Sequence, residues 1–81
     1  MLIRFTRHAL RQMKIRSISR EEIKITIEKP EKNSEDHYGN QIVQRIFGQQ
    51  LLRVFFYHDK EAIIIITAYK TSQINKYSRS D

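Results

Sequence analysis

The chain has 81 residues, no cysteine and a formal net charge of +6, from 15 Lys and Arg against 9 Asp and Glu. A chain of this length buries only roughly 60% of its unfolded surface, so we expect one core and no separate substrate domain. The lack of cysteine excludes a disulfide framework, a thiolate metal site and a cysteine nucleophile. The sequence pI near 9.9 favours a polyanionic partner, most commonly nucleic acid, although some small proteins carry such charge only for solubility.

The longest apolar run, Ala62 to Ile66, is far shorter than the roughly 20 residues that a membrane-spanning helix needs. No charged and then apolar leader opens the chain. We therefore expect a cytoplasmic protein with no membrane partner.

The first elements predicted are a short strand at residues 2–4 and a helix over residues 5–15. Phe5, Ala9 and Met13 recur at four-residue steps, which is typical of the buried side of an amphipathic helix. A second stripe of the same helix is cationic, and no acid occurs in this part of the chain. Its basic residues are Arg7, Arg11 and Lys14.

A capping box predicts where the next helix begins. Ser19 can accept a hydrogen bond from the backbone of Glu22, whose side chain can reach back to the backbone of Ser19. We expect a helix over residues 19–29, since Pro30 disfavours its continuation. Its body also alternates β-branched and polar residues at the period of a strand, at Ile23, Ile25 and Ile27.

The second half of the chain predicts an antiparallel meander. Residues 31–40 are polar and typical of a loop, Asp59 and Lys60 suit a tight turn, and residues 70–81 suit a tail or a short terminal helix. The predicted fold class is α+β, in the order β-α-α-β-β-β, with two helices packed on one face of a small sheet. The three strands of the meander are expected at residues 41–47, 51–58 and 61–69.

The order of these elements and several short segments resemble the small bacterial toxins of the RelE superfamily, closest to the BrnT-like branch and related uncharacterised domains. The resemblance covers nearly the whole chain, which would form a single RelE/BrnT-like domain over residues 1–81. The segments that carry it are 5–9, 16–22, 52–54 and 65–70, followed by Tyr77.

This resemblance implies the toxin of a type II toxin–antitoxin system, an endoribonuclease that cleaves mRNA without a metal, often on the ribosome. The implied partners are RNA and a cognate antitoxin, which we expect to carry an acidic segment. The chain departs from the BrnT-like pattern at Tyr69, where an arginine is usual, and at Ile74 or Asn75, where a glutamate is usual.

The sequence contains residue types that can carry out such chemistry. Cleaving RNA without a metal requires a base for the 2′-hydroxyl, an acid for the leaving 5′-oxygen and positive charge beside the phosphate. Arg53, within an apolar strand, can clamp a phosphate on a rigid element, or simply cover apolar surface with its stem; Arg45 allows both interpretations. Tyr69 and Tyr77 suit base stacking or proton transfer, given cationic neighbours.

His58 and His8 are the candidates for an auxiliary acid or base. His58 lies at a predicted turn, where an exposed structural role is the simpler interpretation, and His8 lies on the basic helix, where packing is the simpler one. Scattered histidines make a poor metal site, so neither a metal nor another cofactor is predicted. The residues predicted to hold RNA phosphates are Arg7, Arg11, Lys14, Arg45, Lys70 and Lys76.

The sequence leaves two questions open, the register of the second hairpin and the role of the basic surface. If Asp59 and Lys60 are the whole hairpin loop, Arg53 opposes Ile66, whereas a longer loop moves Tyr69 to the face of Arg53. The same basic surface also suits a non-catalytic RNA- or ribosome-binding module, or a domain that docks an acidic protein segment.

Overall fold

The structure, a computed structural model, describes residues 2–78, with side chains through Tyr77. The elements are β1 Leu2–Phe5, α1 Arg7–Ile15, α2 Arg20–Glu28, β2 Lys32–Glu35, β3 Gln41–Phe47, β4 Gln50–Asp59, β5 Ala62–Thr71 and α3 Ile74–Ser78. The five strands form one mostly antiparallel sheet in the order β1-β5-β4-β3-β2, with β1 parallel to β5, so the fold is α+β as predicted. Among residues 2–78, no helix has the length and apolar character that a membrane crossing requires.

Both N-terminal helices begin at side-chain caps. The capping box at Ser19 and Glu22 is formed in full, which confirms the predicted start of α2. The predicted helix over residues 5–15 starts later than expected, because Phe5 belongs to β1 and Thr6 is the N-cap, whose hydroxyl accepts from the Ala9 backbone N–H.

The helices pack on one side of the sheet, called here the inner face. Alternation along β4 puts Leu52, Val54 and Phe56 on this face, where they join Ala9 of α1 and Ile23 of α2 in the main core. The intervening residues of β4 therefore lie on the opposite side, called here the outer face. They are Leu51, Arg53, Phe55 and Tyr57.

Two predictions of the sheet were wrong. The region 31–40, expected to be a loop, contains β2, which pairs with β3. Its sequence, Lys-Asn-Ser-Glu, lacks the apolar alternation that marks a strand, and an edge strand needs little more than backbone pairing. The hairpin turn between β4 and β5 consists of Lys60 and Glu61, because Asp59 still pairs with Ala62. Of the predicted tail at 70–81, residues 79–81 lie outside the described residues.

A β-bulge settles which side chains share the outer face. The pairing of β4 with β5 steps from Phe56 opposite Ile65 to Phe55 opposite Thr67, so Ile66 is the extra residue. The Ile66 carbonyl accepts from the Thr6 hydroxyl at 2.9 Å. If the pairing continued from Phe56 opposite Ile65 without the bulge, Ala68 would lie opposite Arg53. With it, Tyr69 is opposite Arg53.

Candidate functional site

A row of polar side chains crosses the outer face at right angles to the strands. Gln44 of β3 pairs with Arg53 of β4, and Arg53 pairs with Tyr69 of β5. Lys32 of β2 pairs with Gln44 and extends the row to the sheet edge. Direct cross-strand neighbours have Cβ atoms about 5 Å apart, so the pairing alone brings these side chains into contact range.

The guanidinium of Arg53 is held in place by two neighbours. Its Nε donates to Gln44 Oε1 at 3.1 Å, and Nη1 donates to the Tyr69 hydroxyl at 2.6 Å. Gln44 is only 4% exposed, and its Nε2 donates to the Tyr77 carbonyl at 2.9 Å. Within residues 2–78, Arg53 Nη2 makes no hydrogen bond, so this end of the fork can take an acceptor from a ligand.

Aromatic rings enclose the same guanidinium. Arg53 Cζ lies 4.2 Å from the ring centroid of Tyr77, 5.5 Å from that of Phe55 and 5.8 Å from that of Tyr69. These distances suit cation–π contact. We call Gln44, Arg53, Phe55, Tyr69 and Tyr77 the arginine cluster.

The short helix α3 brings Tyr77 to the cluster. The chain turns after β5, where the Gln73 backbone N–H donates to the Thr71 hydroxyl at 3.0 Å. The Tyr77 carbonyl then accepts from Gln44 and, at 3.3 Å, from Lys32 Nζ. The two tyrosine rings meet edge to face at 6.3 Å. Residues distant in sequence therefore form one site around Arg53.

The pKa values of the two phenols are shifted in opposite directions. Burial raises the pKa of Tyr69, to which the hydrogen bond with Tyr77 adds, while Arg53 partly offsets both. The hydrogen bond from Tyr69 lowers the pKa of Tyr77, and Lys76 and the charge of Arg53 act in the same direction against a smaller effect of desolvation. Tyr69 thus keeps its proton while Tyr77 loses its own more easily.

Two of the predicted phosphate-binding residues have structural partners on the inner face instead. Arg45 Nη1 donates to the Lys29 carbonyl at 2.7 Å and so caps the C-terminal end of α2. Lys70 Nζ forms an ion pair with Glu22 at 3.1 Å. The sheet separates both cations from the arginine cluster.

Three further residues of the predicted site are exposed, namely Lys76, His58 and His8. Lys76 lies beside the cluster, with Nζ 5.2 Å from the Tyr77 ring centroid. His58 stands at the end of β4 against the Phe56 ring, and His8 lies on α1. Within residues 2–78, no hydrogen bond or ring contact joins either histidine to the arginine cluster.

The basic stripe of α1, formed by Arg7, Arg11 and Lys14, is fully on the surface. Because α1 packs on the inner face, the stripe and the arginine cluster lie on opposite sides of the sheet. Among residues 2–78, no group of three or more His, Cys, Asp or Glu side chains is placed to hold a metal ion.

Sequence reasoning missed Gln44 and Phe55. Both lie in correctly placed strands, and a glutamine directly after the apolar pair Ile42 and Val43 is an unusual choice for a buried position. That signal points to a polar network, but only the cross-strand register identifies Arg53 as the partner.

Residues 5–70 match the model of a family described as "Domain of unknown function (DUF4258)". No curated protein and no solved structure matches the chain significantly.

Proposed function

We propose that this chain, which belongs to the DUF4258 family, is a metal-independent endoribonuclease whose active site is the arginine cluster. The observation that carries the proposal is the guanidinium of Arg53, fixed by Gln44 and Tyr69 beside the phenol of Tyr77. A cation held in this way requires little reorganisation when charge develops on a substrate, which is how electrostatic catalysis works. The net charge of +6 supports a polyanionic substrate.

Arg53 binds the scissile phosphate in this mechanism. Its Nη2 group donates to a non-bridging oxygen, while Gln44 and Tyr69 hold the rest of the guanidinium. Hydrogen bonds between charged groups are roughly twice as strong as neutral ones. As the 2′-oxygen attacks phosphorus, negative charge grows on the non-bridging oxygens and this contact strengthens. Gln44 is a positioning residue, since it acts through Arg53.

The opposite pKa shifts of the two phenols assign the proton transfers. Tyr77, with its lowered pKa, is the base that takes the proton of the 2′-hydroxyl. Tyr69, with its raised pKa, stays protonated and donates to the 5′-oxygen as the P–O5′ bond breaks. The products are a 2′,3′-cyclic phosphate and a 5′-hydroxyl. The starting state is restored when Tyr77 releases its proton to water and Tyr69 takes one up from water.

The proposal includes a toxin role and a RelE-like fold, both of which depend on the sequence resemblance. An α+β sheet with two helices on its inner face is compatible with that fold. The partner we propose is an antitoxin with an acidic segment, which the exposed basic stripe of α1 would attract. His8 and His58 have no part in the cleavage step that we propose.

Induced expression in a bacterium tests the proposal. The wild type is compared with Arg53→Ala and Tyr77→Phe, while growth is followed and the ends of cellular RNA are mapped. We expect growth arrest with new RNA ends from the wild type, and relief by either substitution. Tyr38→Phe is the matched control for Tyr77→Phe, because Tyr38 is 82% exposed on the β2–β3 loop.

Intact RNA and normal growth from well-expressed, folded wild-type protein would rule out the toxin proposal. Purified protein that binds RNA without cleaving it, and that tolerates Tyr77→Phe, would favour the non-catalytic RNA-binding module instead. Cleavage that persists in a chelator is expected, because no step that we propose uses a metal.

A further inference from the structure

The outer face continues beyond the arginine cluster toward the end of β4. Arg53, Phe55 and Tyr57 alternate along this strand and therefore point to the same side, with successive members about 6.8 Å apart. Phe55 is half-buried beside Arg53, whereas Tyr57 is 42% exposed. The strand thus presents one cation followed by two aromatic rings in a line.

A second cation lies beside the end of this line. Tyr57 pairs with Ile64 of β5, and Ile64 pairs with Arg4 of β1. Arg4 is exposed and lies on the outer face, since its neighbours Ile3 and Phe5 pack against the core. The outer face therefore carries an arginine at each end of the aromatic line, at Arg53 and at Arg4.

We infer that the outer face binds single-stranded RNA along β4, with Phe55 and Tyr57 each stacking a base and Arg4 contacting the backbone phosphate. Sheets that expose aromatic side chains can stack two or three successive bases of an unpaired strand. A duplex keeps its base faces inside the stack, so it does not fit such a surface. The inference rests on the proposed function, in that it takes RNA to be the substrate.

Acidic residues limit the path of the RNA. A cavity of about 550 Å³ adjoins Ile64 and Arg4 at the β4–β5 hairpin, and Asp59, Lys60 and Glu61 also line it. The two carboxylates repel phosphates and offset the charges of Arg4 and Lys60, so we expect the bound strand to end near Tyr57. The site would then span only a few nucleotides on this side of the phosphate that Arg53 binds.

Binding to a short RNA tests the inference. The probe is a fluorescent single-stranded oligonucleotide with 2′-O-methyl groups, which lacks the attacking hydroxyl, and the readout is fluorescence anisotropy. Base–aromatic stacking is worth enough that Tyr57→Ala should weaken binding about tenfold or more. Tyr57→Phe keeps the ring and should bind like the wild type. Arg4→Gln, which leaves the ring in place, should weaken binding several-fold and reduce its salt dependence.

Tyr38→Ala is the matched control, because it removes another exposed tyrosine, which lies on the β2–β3 loop and not on a strand of the sheet. It should bind like the wild type, and a duplex of the same sequence should bind more weakly than the single strand. Equal binding of Tyr57→Ala and wild type would overturn the inference, whatever the effect of Arg4→Gln. Equal binding of duplex and single strand would overturn it as well.

Cleavage of the unmodified oligonucleotide separates this inference from the proposed function. Tyr57→Ala should raise KM and leave kcat near that of the wild type, since Tyr57 stands two strand positions beyond Phe55. If the wild type cleaves RNA but Tyr57 has no effect on KM or binding, only the stacking inference fails. If Tyr57 and Arg4 control binding but no cleavage occurs, only the catalytic proposal fails.

Discussion

The arginine cluster on the outer face and the basic stripe of α1 both present positive charge, but they hold it differently. In the stripe, Arg7, Arg11 and Lys14 are exposed, and their side chains make no hydrogen bond to another residue within 2–78. In the cluster, one arginine is fixed by an amide and a phenol and is covered by an aromatic ring. Exposed cationic side chains attract an anion over a distance, whereas a guanidinium held in one orientation can favour one geometry of the bound anion.

The largest effect that we expect comes from Arg53→Lys. It keeps the charge but removes the fork that contacts Gln44 and Tyr69, so the cleavage rate should fall about 100-fold or more. The measurement is the rate of cleavage of a single-stranded RNA in the presence of a chelator. A rate within a fewfold of the wild type would mean that any cation at this position suffices. The fixed orientation that distinguishes the arginine cluster from the basic stripe would then have no role in cleavage.

The second prediction concerns the coupled phenols. Because the hydrogen bond from Tyr69 lowers the pKa of Tyr77, Tyr69→Phe should raise that pKa toward the ordinary phenol value. The phenolate is present above the pKa, so Tyr77 should ionise at higher pH in this variant, while cleavage falls because the proton donor to the 5′-oxygen is gone. Phenolate absorbance during a pH titration reports the same shift, and Tyr77→Phe should remove that ionisation from the curve. A titration curve unaltered by Tyr69→Phe would contradict the coupling.

The third prediction tests the hydrogen bonds of Thr6 that join the start of α1 to the bulge in β5. Thr6 caps α1 and also donates to the Ile66 carbonyl at the bulge that sets the position of Tyr69. Thr6→Val removes both hydrogen bonds at nearly constant volume and should lower the free energy of unfolding by about 1–2 kcal/mol. Thr6→Ser, which keeps the hydroxyl, should lose much less in a urea titration. No loss in Thr6→Val beside a clear loss in Thr6→Ser would show that the methyl group matters and the hydroxyl does not.

The fourth prediction concerns the stripe itself. Replacing Arg7, Arg11 and Lys14 together with glutamine should weaken RNA binding only a fewfold and flatten its salt dependence. It should leave kcat unchanged, because the stripe lies on the other side of the sheet from Arg53. A loss of kcat as large as that of Arg53→Lys would place the active site on α1.

The smallest effect is expected at the inner-face ion pair. Burial acts to raise the pKa of Glu22, but the Ser19 backbone N–H and Lys70 outweigh it and lower that pKa below its usual value. The stability this provides is present above the ordinary glutamate pKa and is lost as pH falls through the lowered one. Glu22→Gln should cost at most about 1 kcal/mol near neutral pH, since the pair is partly exposed. Unfolding curves of variant and wild type should differ at neutral pH and converge at acidic pH.

Local signals predicted much of the fold. The capping box at Ser19 located α2, and a run rich in β-branched and aromatic residues between two turn signals located β3 at 41–47 without error. The polar edge strand β2 escaped detection, because its pairing uses the backbone and its side chains carry no pattern. Periodicity therefore identifies elements that bury side chains, and overlooks those that do not.

The candidate site was harder to predict than the fold. Arg53, Tyr69 and Tyr77 were singled out from their chemistry, and the structure brings them together. Arg45 and Lys70 were chosen on the same grounds, yet they cap a helix and form an ion pair on the inner face. Which of Tyr69 and Lys70 lies on the outer face depends on the register of β4 and β5, which a single bulge residue inverts, and a bulge leaves no clear mark in a lone sequence. Arg45 lies on the inner face because it pairs with Leu52 of β4.

The most direct test of the central claim is an NMR titration of the labelled protein with uncleavable 2′-O-methyl single-stranded RNA. We predict that the Arg53 Nε–H signal and the backbone signals of Gln44, Phe55 and Tyr69 shift first and furthest, while those of α1 shift little. Shifts concentrated on Arg7, Arg11 and Lys14, with the Arg53 signal unmoved, would contradict the claim that the outer face is where this protein acts on RNA.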